Sequence, residues 1–406
     1  MEHPFRWLLL DLNSYFATVE QQLNPKLRGR SVAVVPLLAD TTSVIASSIE
    51  AKKLGIKTGT RVGEARRLCP EIVFCSGSHD RYVETHEKIV EAVERVLPVS
   101  AVLSIDEMAC RLMGREQSDE HATRLAREIK ASIRKHAGDY LSCSIGLAPN
   151  RYLAKVASDM QKPDGLVKIR REDLPRVLHG LSLRDFPGIG PRMEERLHRY
   201  GVHTVERLGS LSETDLRTIW GGVNGARFHR AIRGEDYEDP PSERKSLGHS
   251  HVLPPELRSA EKAFLVAQKL LHKAAARLRR HELWCGEVAL SVSFLGTEER
   301  FSECLRVVEC CDDITLLEAL RELWSQVRFR HRPLKVGVTF GRLVSHDCHT
   351  LSLFENPRYR NLSLAVDAIQ EKFGRDAVGF ASMRALKGTA PTRIAFTNIP
   401  DAAGED

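Results

Sequence analysis

The chain has 406 residues, is 42% hydrophobic and 28% charged, and carries a formal charge of +6 at pH 7. That size and balance fit a globular protein of two to four domains with a substantial core, and the mild positive charge favours polyanionic partners. No apolar run reaches the ~18 residues of a membrane span, and nine scattered cysteines, with no C-x-x-C pair and no signal peptide ahead of them, read as reduced thiols of a cytoplasmic protein.

Trp7-Leu8-Leu9-Leu10-Asp11-Leu12-Asn13 is an apolar run too short for a core helix, and the SYFATVEQQL that follows sets Tyr15, Val19 and Leu23 at helical spacing. The expected order is strand, then helix. Residues 31–36 read as a strand, and TTSVIASSIEAKKLGIKTGT as a short strand, a helix and a Gly-marked turn. A helix is predicted over 81–97, then the stretch AVLSIDEMACRL, a helix near 118–136, a strand over 140–148, a helix over 151–160 and a turn QKPDG. This alternation argues an α/β or α+β first domain.

From 181 the pattern turns helical, punctuated by Pro187-Gly188-Ile189-Gly190 and by a second glycine turn at 221–225. The polar GEDYEDPPSERKS breaks both periodicities and reads as a linker. Beyond it the order is strand 247–253, amphipathic helix 256–281, strands 286–295 and 300–308, helix 315–327 and strand 334–343. That is a β-α-β-β-α-β unit. A last helical segment, LSLAVDAIQEKFG, precedes a polar tail, and the spacing of His346, Cys348 and His349 matches no zinc pattern, so it reads as an incidental loop.

The chemistry starts at Ser104-Ile105-Asp106-Glu107, where an apolar stretch ends in two acids. Such a pair marks either a solvated strand end or part of a metal site built from several segments. Asp11 is the acid inside the apolar run WLLLDL, where an uncompensated carboxylate is costly to bury. Asp11, Asp106 and Glu107 together could hold two divalent ions about 3.5–4 Å apart for an in-line displacement. Adjacent residues of a regular strand point to opposite faces, so Asp106 and Glu107 can share a site only where the alternation relaxes, at a strand end or tight turn.

Four motifs in order, DLNSYFATVE (11–20), SIDE (104–107), SIGLAPNRYLAKVASDMQKPDG (144–165) and FPGIGPRMEERL (186–197), resemble the Y-family, or translesion, DNA polymerases over most of the chain. The resemblance implies an α+β multidomain right-hand polymerase. Its parts would be a palm (1–25 and 80–180), small fingers (26–79), a helical thumb with a helix-hairpin-helix (181–238), a linker (239–246), a little finger (247–345) and a C-terminal tail (346–406). Asp11, Asp106 and Glu107, with the Leu12 carbonyl, would hold two Mg2+ ions.

Phe16 matches the family's steric gate against a ribose 2′-hydroxyl, with Tyr15 packing beneath the nucleotide, while an aromatic at helical spacing is otherwise plain core. Lys52 in EAKKLG and Lys162 in DMQKPDG match the triphosphate contacts, and lysine needs no bidentate geometry to bind phosphate. Ile49 and Lys52 depart from the family's usual tyrosine and arginine, which puts catalytic efficiency in doubt and, with Asn13, leans toward the polymerase V branch.

Gly188 and Gly190 would let backbone N–H groups approach a DNA phosphate, with Arg227 and Arg230 after the second turn gripping the same backbone. RFRHRPLK, with Arg328, Arg330 and Arg332, and HKAAARLRRH offer basic surface for a duplex; a charge run is otherwise a solvated face. In TLSLFENP, Leu351, Leu353 and Phe354 fit a sliding-clamp peptide, although Thr350 stands where that peptide prefers glutamine.

The implied activity is template-directed, low-fidelity addition of deoxynucleotides to a primer 3′-hydroxyl, in damage tolerance of the SOS type. Its partners would be primer-template DNA, deoxynucleoside triphosphates and a sliding clamp, with no membrane and a monomer or transient complexes. Two other readings compete: a family member without catalysis that serves as a DNA- or clamp-bound recruitment factor, and a nucleotide cyclase with a palm-like sheet.

Overall fold

The computed structural model describes residues 4–36, 38–40, 42–237, 244–349, 357–374 and 377–379. They group into two compact units divided at 239–240. The proposed clamp peptide, with Leu351, Leu353 and Phe354, and most of the expected linker lie outside the described residues.

The first unit is organised by a five-stranded sheet of β1 (Trp7–Leu12), β5 (Ala101–Ser104), β6 (Glu107–Arg111), β7 (Cys143–Ala148) and β8 (Leu166–Lys168), ordered β5-β6-β1-β7-β8. β1 is central and buried on both faces, so it reads as a continuous apolar run. Leu8, Leu10 and Leu12 enter a core with Ile89, Ala126 and Ile129 from the helices His79–Glu94 and Asp119–His136. Leu9 faces the opposite way, into a core with Leu153, Ala154 and Ala157 of the helix Arg151–Met160. Strand alternation puts Asp11 on the Leu9 side. That face carries the charged chemistry described below.

A separate three-stranded sheet, ordered β3-β2-β4, is made of β2 (Val32–Val35), β3 (Ala46–Ser47) and β4 (Val73–Ser76), with β2 parallel to β4. It has a small core of its own, Val35, Val44, Ile56 and Val62. Four short helices, Pro191–Arg199, Val205–Ser210, Glu213–Trp220 and Val223–Ala231, follow the last strand of the unit.

In the second unit β9 (Ser246–Val252), β10 (Leu283–Phe294), β11 (Arg300–Cys310) and β12 (Pro333–Ser345) form an antiparallel sheet ordered β11-β10-β12-β9. The helices Ala260–Arg280 and Asp313–Ser325 share one core with it, and β11 is largely exposed. This is the β-α-β-β-α-β order read from the sequence. The helix Pro357–Phe373 is tied to the unit by Arg279, which is buried between Asp313 (3.1 Å) and Asp367 (2.6 Å).

Element boundaries differ from the sequence reading for local reasons. The strand expected over 140–148 begins at Cys143, because its pairing with β1 begins at Leu12 opposite Cys143. The helix expected from 256 begins at 260, where the Ser259 hydroxyl accepts from the Lys262 N–H and caps it. Ser246 belongs to β9 and not to the linker.

Two close approaches fix how helices meet their neighbours. A Cβ on Gly146 would lie 2.0 Å from the Ala154 carbonyl oxygen, and one on Gly225 would lie 2.1 Å from that of Leu216. Gly146→Ala and Gly225→Ala are each expected to destabilise the first unit by about 1–3 kcal/mol, read as a lower thermal midpoint. An unchanged midpoint for both would mean that these backbones have room to separate.

Candidate active site

Asp11 lies directly across the ladder from Glu107. Between β5 and β6 only Ile105 and Asp106 remain, so Asp106 sits in the tip of a two-residue hairpin whose register shifts between Val102 and Ser104. The turn removes the opposite-face objection, since Asp106 is no longer in regular strand. The tip is anchored by the Leu12 N–H donating to the Asp106 carbonyl (2.8 Å). The Ser104 hydroxyl donates to the Asp106 carboxylate (2.6 Å), and the His86 ring lies 2.8 Å from the Ile105 carbonyl. Three carboxylates therefore share the end of one sheet, with Leu12 completing β1 beside them.

Burial pushes the Asp106 carboxyl above its usual range, and the negative charge of Asp11 adds to this. Glu107 is likewise raised, by burial first, with Lys155 opposing. Two ammonium groups answer this charge. Lys155 contacts Asp11 (2.5 Å), Glu107 (2.9 Å) and Asp159 (3.1 Å), and Lys162 contacts Asp11 (2.7 Å) and Asp159 (2.6 Å). Burial works against the charge on Lys155, but Asp11, Asp159 and Glu107 outweigh it and hold the ammonium above its usual range.

Lys155 was not singled out from the sequence, although a signal was present. Lys155 and Asp159 stand one turn apart on a predicted helix, and Lys162 follows three residues later in the turn QKPDG.

The donor set is all hard oxygen, as magnesium requires. With the lysines against these oxygens, no three acidic, histidine or cysteine side chains among the described residues enclose an ion as they stand. The cluster nevertheless fits divalent cations, because burial and mutual repulsion leave the carboxylates in need of positive charge.

Lys52, at the exposed end of the short helix Ile49–Lys53, has its ammonium held below the usual range by burial and then by the like charge of Lys162, while Asp11 and Asp106 act in the opposite sense. The two lysines proposed for the triphosphate thus act on one another, near the acids. Ile49 opens this helix and is half-buried.

Phe16 is 4% exposed and stacks on Tyr82, with ring centroids 4.4 Å apart and planes at 19°. Tyr82 is held in turn, its hydroxyl donating to the buried Glu20 carboxylate (2.9 Å). Tyr15 is core: its hydroxyl donates to the Tyr82 carbonyl (2.6 Å), and burial raises its pKa strongly. Its ring packs against that of Phe16, with centroids 5.6 Å apart and planes tilted by 48°. The Tyr82 and Glu20 support was invisible in the sequence, because Tyr82 lies 66 positions beyond Phe16.

The proposed DNA contacts are surface features within each unit. Gly188, with φ +89°, needs glycine, whereas Gly190 has an ordinary φ of −87° and serves as N-cap of the helix Pro191–Arg199. Nothing lies within 4 Å of a Cβ built on either. Arg227 reaches Asn224 and Arg230 reaches Glu213 (3.8 Å) on the helix Val223–Ala231. Arg328, Arg330 and Arg332 are exposed on the connection into β12. His349 stacks on Trp284 at 3.7 Å and pairs with Glu309 (2.8 Å), which gives this histidine a packing role.

Three family models match in order: the impB/mucB/samB family over 10–159, the DNA polymerase-iota thumb domain over 184–236, and the impB/mucB/samB family C-terminal domain over 244–353. Among curated relatives, DNA polymerase IV of Moorella thermoacetica is 35% identical over 390 residues, covering 91% of this chain and 94% of that one. DNA polymerase IV of Pelotomaculum thermopropionicum is 31% identical over 382 residues, 91% of this chain and 93% of that one. A solved Y-family DNA polymerase chimera of Dbh and Dpo4 shares the fold, with a TM-score of 0.70 at 23% identity over 84% of this chain and 99% of that one. With its sequence related to such polymerases over 91% of its length, and its palm, fingers, thumb and little-finger architecture shared with them, the chain belongs to the Y family of translesion DNA polymerases.

Proposed function

We propose that this chain extends a primer 3′-hydroxyl on a template, including damaged templates, by nucleotidyl transfer at Asp11, Asp106 and Glu107. The observation that carries the reading is the meeting of Asp11, across the ladder from Glu107, with Asp106 in the hairpin tip. Two Mg2+ ions held by these carboxylates and the Leu12 carbonyl would supply charge stabilisation for the attacking oxygen and the departing pyrophosphate. Lys52 and Lys162 orient the triphosphate as point charges. Phe16, backed by Tyr82, excludes a ribose 2′-hydroxyl by occupying its place.

In this reading the five-stranded sheet and its helices are the palm, the three-stranded sheet the fingers, residues 181–238 the thumb and 247–345 the little finger. Backbone amides at Gly188 and the arginines at 227, 230, 328, 330 and 332 contact phosphates, which carry no sequence information. Such contacts suit an enzyme that must work wherever a lesion falls. A sliding clamp is the proposed partner of Leu351, Leu353 and Phe354, on the sequence of that peptide alone.

Primer extension with Mg2+ is expected from the wild-type chain and is expected to vanish in the Asp106→Ala, Glu107→Ala double variant. No extension by the wild type on a matched primer-template would overturn the proposal. Phe16→Ala is expected to raise ribonucleotide incorporation relative to deoxynucleotide by about 100-fold or more, since the site would lose its steric exclusion. An unchanged ratio would remove Phe16 from the gate.

The raised carboxyls also set a pH dependence. A carboxyl whose pKa is raised on folding binds its proton more tightly in the native state, so it favours the metal-free fold at low pH, and this is lost as pH rises through the raised pKa. Mg2+ binds the ionised forms, so the rise in Tm on adding Mg2+ is expected to be larger near about pH 8 than near about pH 5.5. Asp106→Asn keeps the Ser104 contact while removing a repelling charge, and is expected to stabilise the metal-free chain by about 0.5–2 kcal/mol while abolishing extension. A lower Tm for this variant would show that Asp106 is not electrostatically strained.

A further inference from the structure

Asn13 lies two residues beyond Asp11 and is 4% exposed. None of its side-chain contacts reaches the acids. Its Oδ1 accepts from the Asp164 N–H (2.8 Å) and from the Ser142 hydroxyl (3.2 Å), and its Nδ2 donates to the Ser144 hydroxyl oxygen (3.0 Å). Ser144 Oγ, fully buried on β7, also accepts from the Gly165 N–H (3.2 Å) and donates to the Gln161 carbonyl (3.2 Å). The Asp164 N–H can only donate, so the atom it meets must be the amide oxygen, and the orientation of the amide is determined.

Gln161, Asp164 and Gly165 bracket Lys162. We propose that Asn13 is a positioning residue: its amide, relayed by Ser144, fixes the 161–165 loop against the strand bearing Asp11, and thereby places Lys162 for the incoming nucleotide's triphosphate. This rests on the reading of Lys162 as a triphosphate contact.

Three observations support it. The loop makes a left-handed turn at Asp164 (φ +55°), an unfavourable conformation for a non-glycine residue that neighbouring contacts must hold. Lys130 holds the Asp164 carboxylate (3.0 Å) and the Asp164 and Gly165 carbonyls (2.6 and 2.8 Å) and Arg134 the Asp164 carboxylate (2.5 Å), whereas Asn13 and Ser144 take the Asp164 and Gly165 N–H groups and the Gln161 carbonyl, tying them to the residues beside Asp11. The Asn13 backbone is itself fixed, its N–H donating to the Ser142 carbonyl (2.8 Å) and its carbonyl accepting from the Thr18 hydroxyl (2.7 Å). The side chain therefore transmits the position of β1 to the loop.

The test is a double-variant cycle in steady-state extension by the full chain. Asn13→Ala is expected to raise the KM for deoxynucleotide about five- to thirtyfold, the effect of one or two lost hydrogen bonds, with a smaller change in kcat. In a Lys162→Ala background the same substitution is expected to add nothing, because an effect carried by Lys162 disappears with it. Asn13→Asp keeps an acceptor for the Asp164 N–H and is expected to recover most of the loss. Equal effects of Asn13→Ala in both backgrounds would overturn the proposal, since a general loss of structure is additive.

Hydrogen exchange separates the two claims. Asn13→Ala is expected to speed exchange at the Asp164 and Gly165 amides while leaving the β1 and β6 amides protected. Unchanged exchange there refutes the tether whatever the kinetics show. Faster exchange together with a Lys162→Ala variant of normal KM retains the tether, refutes Lys162 as the triphosphate contact, and overturns the placement claim with it.

Discussion

Like charges crowded at the end of an apolar sheet are the constraint on which the rest of the first unit depends. Asp11 and Glu107 are ladder partners and Asp106 is in the adjacent turn, so their mutual repulsion cannot be relieved without breaking the sheet. Burial sharpens it by removing the water that would screen the charges. The structure meets this with Lys155 and Lys162, both brought by one helix and the loop after it.

The packing of the unit follows from delivering those lysines. The helix Arg151–Met160 must approach the sheet closely, and Gly146 permits this by leaving the Ala154 carbonyl no side chain to meet. The face of β1 that carries Leu9 into the core carries Asp11 to Lys155, and Asn13, the residue after the strand, reaches the Lys162 loop. One strand and the residue that follows it thus fix an acid, its counter-cation and the tether of a second cation. The opposite face packs Leu8, Leu10 and Leu12 into the larger core.

Phe16 is held in the same layered way: Tyr82 stacks on it, and Tyr82 is held because Glu20 accepts its hydroxyl hydrogen bond. In the second unit the buried polar network, Arg279 with Asp313 and Asp367, secures a helix, and Arg328, Arg330 and Arg332 lie on an exposed connection.

The sequence by itself determined the β-α-β-β-α-β unit and most of the element order, and it marked the three acids and the aromatic after Asp11, because these depend on local periodicity and on residue types that are costly to bury; it did not show β4, β8 or the helix Val62–Leu68, short elements with too few turns or residues to set a period. It also held the spacing of Lys155, Asp159 and Lys162, a signal available but unread. The tertiary structure alone decided that Asp106 occupies a hairpin tip and so can share a site with Glu107, and that Asn13 is wired to a loop 151 positions away. It decided also that Tyr82 backs Phe16. These are contacts between segments distant in sequence, and no local pattern encodes them, since hydrogen-bond partners and stacking faces exist only after the sheet has set which side each residue presents.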